Sequence, residues 1–417
     1  MQLKTILNHV QKFKSFVYGR VTWHPADNGP RIEVEVHERV GSRPICAHCG
    51  RRSAGYDRQP VRRFEFVPMW GIRVFFLYAP RRVDCRCCGV HVESMPWALG
   101  KQQLTTTYAW YLARWARRLS WTETARAFQT SWHHVFASVE MAVRWGREHQ
   151  SLEGVTAIGI DEIAWRKGHK YLTLVYQIDA GCKRLLWIGK DRKVETLEGF
   201  FTWYGVERSK QLRYVCSDMW KPYLKVIAAK ASTAIHVLDR FHIVAHLNKA
   251  IDETRAAEHR ALKAEGHGDV LKNARWGYLK RPENLTGKQV YRMADLLRMN
   301  LKTTKSWLAR EHFERFWEYK SPHYAGLFLD SWCTMVMRSR LEPMKRVAKM
   351  LRKHRALLLN WHRAKGMFSS GVVEGFNTKA KLTSRMAYGF RTFHGASTAL
   401  YHSLGNLPEP KVAHRFF

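Results

Sequence analysis

The spacing of apolar residues changes along the chain, and each change predicts a different kind of structure. Residues 1–28 are basic and predict a short helical segment. At Ile32, Val34 and Val36 every second residue is apolar, which predicts a half-buried strand. Two further strand-like runs, 62–68 and 72–78, flank a Trp70-Gly71 turn. The first part of the chain is therefore predicted to be rich in β-structure.

Residues 101–150 change to a helical period. The run from Tyr108 to Ala116 is amphipathic, Ser120 with Glu123 forms a capping-box pattern, and Ser131 begins the next helix. Two short helices around a tight turn are typical of a helix-turn-helix, although any small helical bundle has the same pattern. His133 and His134 would then stand at the start of the recognition helix. They are candidate DNA contacts, with packing or solvent exposure as the alternative.

From residue 152 the chain alternates between strands and helices. Three successive strands are followed by helix, strand, helix and strand, which predicts a mixed α/β layer fold. The predicted elements are strands 155–163, 171–179 and 184–190, helix 194–204, strand 212–217, helix 222–231 and strand 234–238. Residues 240–366 are mostly helical and basic. One of these helices has Met344, Val347, Ala348 and Leu351 on one face and Lys345, Lys349, Arg352 and Lys353 largely on the other. The basic face fits either a phosphate backbone or solvent.

The charge of the chain identifies the class of partner. Lys and Arg number 70 against 35 Asp and Glu, a formal net charge of +35. Such an excess predicts a polyanionic partner, nucleic acid before a membrane surface or an acidic substrate. Lys4, Lys12 and Lys14 interrupt the early apolar stretches, so no secretory signal is expected. No apolar run approaches the length of a membrane span. We expect a cytoplasmic protein without a membrane partner.

The cysteines are concentrated in the first quarter of the chain, five of eight between Cys46 and Cys88. Cys46 with Cys49, and Cys85 with Cys88, form two Cys-x-x-Cys pairs that flank the predicted hairpin. Such pairs supply the four soft ligands of a structural zinc site, so a zinc ribbon is predicted. Three neighbours, Cys87, His48 and His91, compete as ligands. The alternative is a set of free thiols.

Three carboxylates stand out in this basic chain. Asp161 and Asp218 each end an apolar strand-like run, and Glu374 follows Gly371 near the C-terminus. Three neighbouring carboxylates resist joint ionisation unless a cation compensates them, and oxygen ligands suit Mg²⁺ or Mn²⁺. In a polyanion-binding protein this predicts two-metal phosphodiester chemistry. The rival carboxylates are Glu162 and Asp179; Glu162 would point to the opposite face of the strand from Asp161. A strand-end Asp alone is more often a turn cap.

The helix predicted after Gly371 has two faces. Glu374, Thr378, Lys381 and Arg385 share a polar face, opposite an apolar face of Val373, Phe376 and Ala380. Glu374 would therefore point at metal while Lys381 and Arg385 point at phosphate.

Several short motifs, in order, carry a family resemblance. They are Asp161-Glu162, Lys167-Gly168-His169-Lys170-Tyr171, Ser217-Asp218-Met219-Trp220 with Tyr223, Asp239-Arg240-Phe241-His242, Glu342-Pro343-Met344-Lys345, Gly371 through Asn377, and Tyr388-Gly389-Phe390-Arg391. In these stretches the chain resembles bacterial insertion-sequence transposases of the ISL-three family, which belong to the DDE class. Ser370 departs from the Asn expected at that position.

The resemblance implies a fold and a set of roles. It implies an RNase-H-like α/β core with an all-α insertion, preceded by a small zinc-ribbon-like domain and a helix-turn-helix domain. Asp161, Asp218 and Glu374 would take the DDE positions and bind two Mg²⁺ or Mn²⁺ ions. Asp239 and His242 would form the Asp-x-x-His signature, with His242 shaping the site or touching DNA. The implied boundaries are 1–28, 29–99, 100–151, 152–240, 241–366 and 367–417.

The implied activity is DNA transposition. The enzyme would cut DNA at the terminal inverted repeats of an element and join the 3′-hydroxyl to target DNA, acting as a homodimer or larger assembly. Two alternatives remain from the sequence: a DNA-binding regulator with an inactive core, and an RNase-H-like nuclease without strand transfer.

Overall fold

A computed structural model describes residues 3–25, 29–166, 168–365 and 371–410. Lys167 of the second motif and Ser370 lie outside the described residues. The chain divides into two compact units: residues 1–151 with 385–417, called the terminal unit, and residues 152–384, called the central unit. Across the described residues, no helix combines the length and apolar character needed to cross a membrane.

The first part of the terminal unit contains two β-sheets. Its elements are α1 (Leu3–Val10), β1 (Phe16–His24), β2 (Arg31–Glu38), β3 (Ala54–Arg58), β4 (Arg62–Met69), β5 (Ile72–Tyr78), β6 (Arg81–Cys85) and β7 (Gly89–Val92). One sheet has the order β1-β2-β5-β4 and the other β3-β6-β7. The hairpin predicted around Trp70-Gly71 is confirmed as β4 and β5, which pair antiparallel.

The predicted helical segment over residues 1–28 was only partly correct. The helix covers Leu3–Val10, and the chain then enters β1, which pairs antiparallel with β2. Phe16 and Tyr18 are buried in the same apolar core as Val34 and Trp97. Their burial joins the N-terminal segment to the sheet, because an alternating pair of aromatic residues is well suited to one face of a strand.

Three helices follow: α2 (Thr106–Trp115), α3 (Trp121–Ala127) and α4 (Trp132–His149). The capping box of Ser120 with Glu123 is confirmed, and the Ser131 side chain caps α4 by accepting the His134 N–H. Phe128 to Ser131 form the short turn between α3 and α4, with Gln129 at φ 51°. The helix predicted after Ser131 begins at Trp132 and runs to His149. Local start signals therefore fixed where each helix begins.

The central unit is built on a five-stranded mixed sheet. Its elements are β8 (Ala157–Arg166), β9 (Lys170–Asp179), β10 (Cys182–Lys190), α5 (Val194–Tyr204), α6 (Val206–Gln211), β11 (Tyr214–Ser217), α7 (Lys221–Lys230) and β12 (Ile235–Leu238). The strand order is β10-β9-β8-β11-β12. The strands β8, β9 and β10 are antiparallel neighbours, whereas β11 is parallel to both β8 and β12. The predicted α/β succession is confirmed, with α6 as an addition.

One face of this sheet packs on α5 and α7. Ile158 and Ile160 of β8 share a buried core with Phe200 of α5 and with Tyr223 and Ile227 of α7. The side chains of β8 alternate between faces, so Gly159 and Asp161 point to the other face.

The region after β12 is helical, as predicted. It contains α8 (Arg240–Ala264), α9 (Arg275–Leu279), α10 (Gly287–Arg298), α11 (Lys302–Glu314), α12 (Pro322–Met337), α13 (Glu342–Lys353), α14 (Arg355–Arg363), and two short 3-10 helices at Pro282–Asn284 and Arg315–Glu318. These helices enclose a core of their own that includes Phe313, Phe316 and Trp332. On α13 the predicted apolar residues are buried, while Lys349, Arg352 and Lys353 are exposed.

Two helices end the described chain: α15 (Gly371–Met386) and α16 (Phe393–Leu404). The sequence assigned residues 367–417 to the core, but the contacts divide this stretch at Arg385. The residues from 385 on belong with the terminal unit, where the Leu407 side chain meets Gly146 of α4 and Glu409 pairs with Arg114 of α2. The physical reason is the largely buried face of α16, which includes Leu400, Tyr401 and Leu404.

Candidate active site at the edge of the central sheet

The topology of the central sheet brings three aspartates of neighbouring strands to one edge of the sheet. Asp218 directly follows β11, and Asp239 directly follows β12. Asp161 is not at a strand end as expected, because β8 continues to Arg166. It lies beyond Gly159, the last residue of β8 paired with β11, where only β9 still pairs with the strand. Ends of parallel strands at a sheet edge are a usual location for sites in α/β folds.

Asp161 is held by two hydrogen bonds. Its Oδ1 accepts the N–H of Glu162 at 2.7 Å, and its Oδ2 accepts the side-chain amide of Asn377 on α15. Burial raises the pKa of the Asp161 carboxyl, and the neighbouring charge of Asp218 raises it further. The charged form of this group is therefore unfavourable without a cation nearby.

Asp218 and Glu162 share one arginine. Arg192 Nη2 lies 3.0 Å from Asp218 Oδ2, and Arg192 Nε lies 3.1 Å from Glu162 Oε1. The guanidinium also lies 4.5 Å from the ring centroid of Trp220, and the backbone N–H of Trp220 donates to Asp218 Oδ1 at 2.9 Å. Arg192 thus bridges the two carboxylates.

Glu162 is the rival carboxylate that was predicted to point to the opposite face of the strand from Asp161. Its side chain pairs with Arg192, whereas Asp161 contacts Asn377, so the expected difference in direction holds. Burial, followed by the charge of Asp218, raises the pKa of Glu162 to about 8. Glu162 is nevertheless part of the same electrostatic cluster.

Asp239 and His242 lie near Asp161 and form a group of potential metal ligands with it. Asp239 caps α8 by accepting the Phe241 N–H at 2.7 Å, and His242 Nε2 lies 3.8 Å from Asp239 Oδ2. Within the described residues, one ligand atom each of Asp161, Asp239 and His242 lie within 4.8 Å of one another. Two carboxylates and an imidazole suit a divalent cation such as Mn²⁺ or Mg²⁺.

Helix α15 covers the face of the sheet on which Asp161 lies. Phe376 stacks on Tyr176 of β9 at 4.8 Å between ring centroids, and the Tyr176 hydroxyl donates to Asn377 Oδ1 at 2.9 Å. Val373 packs on Gly159 so closely that a Cβ at Gly159 would lie 2.5 Å from Val373 Cγ2. The predicted apolar face of α15 is therefore confirmed, and it is this face that holds the helix on β8 and β9.

Glu374 lies in the exposed first turn of α15, one turn before Asn377. The Asn377–Asp161 bond fixes the helix beside the acidic edge, and residues three apart share a helix face. Lys381 and Arg385 are exposed farther along the helix. The structure thus places Glu374 on the helix that contacts Asp161 through Asn377.

Two residues of this site had no assigned role from the sequence. Asn377 lies three residues after Glu374, a spacing that could have identified it as a partner on the same helix face. Arg192 follows β10 by two residues, and no local pattern distinguishes it from the many other arginines. Its role depends on a contact across the sheet edge.

The four predicted zinc ligands meet in the terminal unit. One sulfur each of Cys46, Cys49, Cys85 and Cys88 lie within 4.8 Å of one another. Tetrahedral zinc with bonds of about 2.3 Å requires sulfurs roughly 3.8 Å apart, so the cluster fits the ion. The hydrogen bond between the Cys88 thiol and Cys49, together with burial, raises the pKa of Cys88 to about 12, so four thiolates together would need a cation.

The competing ligands lie outside this cluster. Cys87 is exposed and accepts a hydrogen bond from Arg51. His91 Nε2 lies 2.5 Å from the Cys88 carbonyl oxygen, and its ring lies 4.4 Å from that of His48. The two cysteine pairs flank the β4–β5 hairpin in the chain, as predicted; Cys85 ends β6, and Cys88 lies in the turn from β6 to β7. The pair Cys85 and Cys88 therefore lies in the small sheet β3-β6-β7.

Comparison with known proteins identifies the family. A family model described as "Transposase" matches residues 158–398, more than half of the chain, and it is the model for DDE transposases of the ISL-three type. The chain belongs to the ISL-three family of transposases. The resemblance of the short motifs is confirmed. The matched part covers the central sheet from Ile158 on, the helical region and α15.

Curated relatives carry the same description. The chain is similar to the transposase for insertion sequence element IS1001 of Bordetella parapertussis, with 27% identity over 375 residues, 89% of this chain and 91% of the relative. It is also similar to the transposase for insertion sequence element IS1557 of Mycobacterium tuberculosis, with 28% identity over 393 residues, 88% of this chain and 87% of the relative. A transposase acts on DNA, in agreement with the net charge of +35.

Proposed function

We propose that this transposase cuts DNA at the ends of an insertion sequence and joins the freed 3′-hydroxyl to target DNA, using Asp161, Asp218 and Glu374. The observation that carries the proposal is the arrangement at the sheet edge. Asp161 lies on β8 and Asp218 directly follows the adjacent strand β11, and a hydrogen bond from Asn377 connects the Glu374 helix to Asp161. The strand order, with α15 on the free face of the sheet, supports an RNase-H-like core.

Divalent ions fit the chemistry of these donors. Asp161 is buried beside other carboxylates, a situation that a cation relieves. Asp161, Asp218 and Glu374 would hold two Mg²⁺ or Mn²⁺ ions, and the short distances from Asp161 to Asp239 and His242 make that pair a candidate support for one of them. Such ions lower the pKa of an attacking water or hydroxyl and stabilise a leaving oxygen.

The protein residues would position the DNA. Lys381 and Arg385, exposed on α15, would contact the backbone phosphates near the site, and His242 would lie beside the cleaved phosphate. His133, exposed in the first turn of α4, and His134 beside it would contact the DNA recognised by the helix-turn-helix. The zinc cluster would stabilise the small domain that precedes it.

The assembly and location follow from the reaction. Two element ends must be processed together, so we propose a homodimer or larger complex on DNA; a protein that remains monomeric on paired ends in mass photometry would contradict this. The place of action would be the bacterial cytoplasm, at the nucleoid.

The test uses purified protein, labelled element-end DNA and Mg²⁺. Wild type should cleave and then join, whereas Asp218→Asn should reduce cleavage by roughly three orders of magnitude or more, as expected when a metal ligand is lost. Asp179→Asn is the matched control, because Asp179 binds Thr156 at the opposite end of β8. Undiminished cleavage by Asp218→Asn would refute the site.

The same assay separates the alternatives. Cleavage without joining would favour a nuclease, and binding without cleavage would favour a regulator with an inactive core.

A further inference from the structure

An open basic cavity lies beside the helix-turn-helix in the terminal unit. It has a volume of about 700 Å³ and is lined by Arg62, Arg63, Arg73, Lys101 and His134, with Phe75 and Glu65 also at its wall. We call it the strand groove, because its three arginines lie on β4 and β5. His134 stands in the first turn of α4, so one wall belongs to the predicted recognition helix.

Two buried carboxylates hold the arginines in place. Arg73 Nε lies 2.9 Å from Glu65 Oε1, and the Glu65 side chain is only 5% exposed. Arg63 Nη2 lies 3.1 Å from Glu33 Oε1, whose side chain is 9% exposed. A guanidinium has five N–H donors, so each arginine anchored this way keeps donors for a second acceptor. The carboxylates fix the geometry of the groove more than they neutralise it.

The groove is fixed to the helix-turn-helix by backbone pairing. The Glu65 N–H donates to the Gln103 carbonyl at 2.7 Å, and the Thr105 N–H donates to the Glu65 carbonyl at 2.8 Å. Thr105 then caps α2. Arg62 adds a hydrogen bond to the Gln102 carbonyl at 3.2 Å. β4 is therefore joined to α2, the helix before the helix-turn-helix pair. Trp110 of α2 shares a buried core with Met141 of α4, which sets the position of the groove relative to α4.

The charge and shape of the strand groove fit one ligand. Four cationic side chains and one carboxylate line it, so it selects an anion. It is open, so it suits a chain of phosphates that passes through it more than a small enclosed anion. A helix inserted in a major groove has the sugar-phosphate backbone on either side.

We infer that the strand groove binds the sugar-phosphate backbone of duplex DNA beside the base pairs that α4 contacts. This inference rests on the proposed DNA-binding function of the terminal unit and adds a second contact surface to it. Arg62, Arg63, Arg73 and Lys101 would supply sequence-independent affinity and set the register of α4 on its site.

The experiment measures duplex binding by the full-length protein. Arg62→Ala with Lys101→Ala removes two groove cations that are not bound to the buried carboxylates. Fluorescence anisotropy is recorded on a labelled element-end duplex and on a random duplex of equal length, over a series of salt concentrations. The matched control is Lys12→Ala with Lys14→Ala, which removes two exposed charges around Phe13, on the opposite face of the sheet.

The expected result is a loss of affinity of about tenfold for both duplexes, with the slope of log K against log salt lowered by roughly 1.8, at about 0.9 per phosphate contact. The control pair should leave the slope unchanged. Equal slopes for the groove variant and wild type would overturn the inference. So would a groove variant that loses binding to a polyglutamate peptide but not to duplex DNA. Circular dichroism and zinc content verify the fold.

The test is independent of catalysis. If wild type binds duplex DNA but does not cleave it, the proposed chemistry fails while the groove inference stands on its binding data. If cleavage succeeds and the groove variant binds like wild type, only the groove inference fails.

Discussion

The contact between Gly159 and Val373 gives a sharp test of how α15 is held on the sheet. Gly159→Ala would place a methyl group 2.5 Å from Val373 Cγ2 and 3.3 Å from Ile178 Cγ2. Carbon atoms normally approach to about 3.5–4.0 Å, so α15 must move outward by roughly 1 Å or the side chains must leave their rotamers. Overpacking of this kind costs about 1–3 kcal/mol.

The consequence for activity follows from the position of Glu374. It lies one residue after Val373, so an outward shift of α15 would separate Glu374 from Asp161 and strain the Asn377–Asp161 bond. A misplacement of about 1 Å can reduce a rate by about a hundredfold. We therefore expect Gly159→Ala to reduce DNA cleavage by roughly that factor, with DNA binding unchanged.

Two measurements check this reasoning. Hydrogen exchange of β8 and α15 amides reports the stability of the central unit alone, and gel-resolved cleavage reports activity. Val373→Ala, which deletes the opposing methyl groups, should restore much of the loss when combined with Gly159→Ala, with a coupling of about 1–2 kcal/mol between the two sites. Additive effects, or wild-type cleavage by Gly159→Ala alone, would refute the close-packing account.

The remaining predictions concern single side chains. Arg192→Gln should leave Glu162 and Asp218 without their shared cation and lower the cleavage rate about tenfold, with partial recovery in Arg192→Lys. Equal cleavage rates for wild type and Arg192→Gln across a Mg²⁺ titration would count against the bridging role. The purified wild-type protein should contain about one equivalent of zinc, and the Cys85→Ser variant should contain less. A zinc content below about half an equivalent in wild type would exclude a zinc site at the four clustered cysteines. Burial lowers the pKa of His236 from 6.5 to about 4, so its neutral form is favoured in the folded state. The contribution of neutral His236 to the free energy of unfolding should be fully present above pH 6.5 and should be lost, by roughly 3 kcal/mol, as the pH falls through 4. Hydrogen exchange of the β12 amides measures this loss, and His236→Gln should not show it.

Local sequence determined much of the secondary structure. Ser120 with Glu123 and Ser131 began α3 and α4 where the capping patterns predicted, because a cap needs only residues within one turn. The β4–β5 hairpin and the succession of elements in the central sheet followed from apolar period and turn residues. The cysteine ligands and the α15 faces were predictable for the same reason.

The tertiary structure decided the contacts that join distant segments. Residues Phe16–His24 form a strand because they pair with β2 and because Phe16 and Tyr18 are buried in the core. Asp161 lies inside β8, since β9 continues to pair where β11 has ended. Arg192 reached both Glu162 and Asp218, and Asn377 reached Asp161 across 216 residues of sequence.

The sequence by itself therefore determined the chemistry that is available: carboxylates, thiols in pairs, and a large positive charge. The tertiary structure determined which of these groups meet. Periodicity and capping depend on neighbours within a few residues, whereas the pairing of strands and the docking of α15 on Gly159 depend on shape and burial between segments far apart in the chain. Local sequence patterns do not specify which distant segments pair.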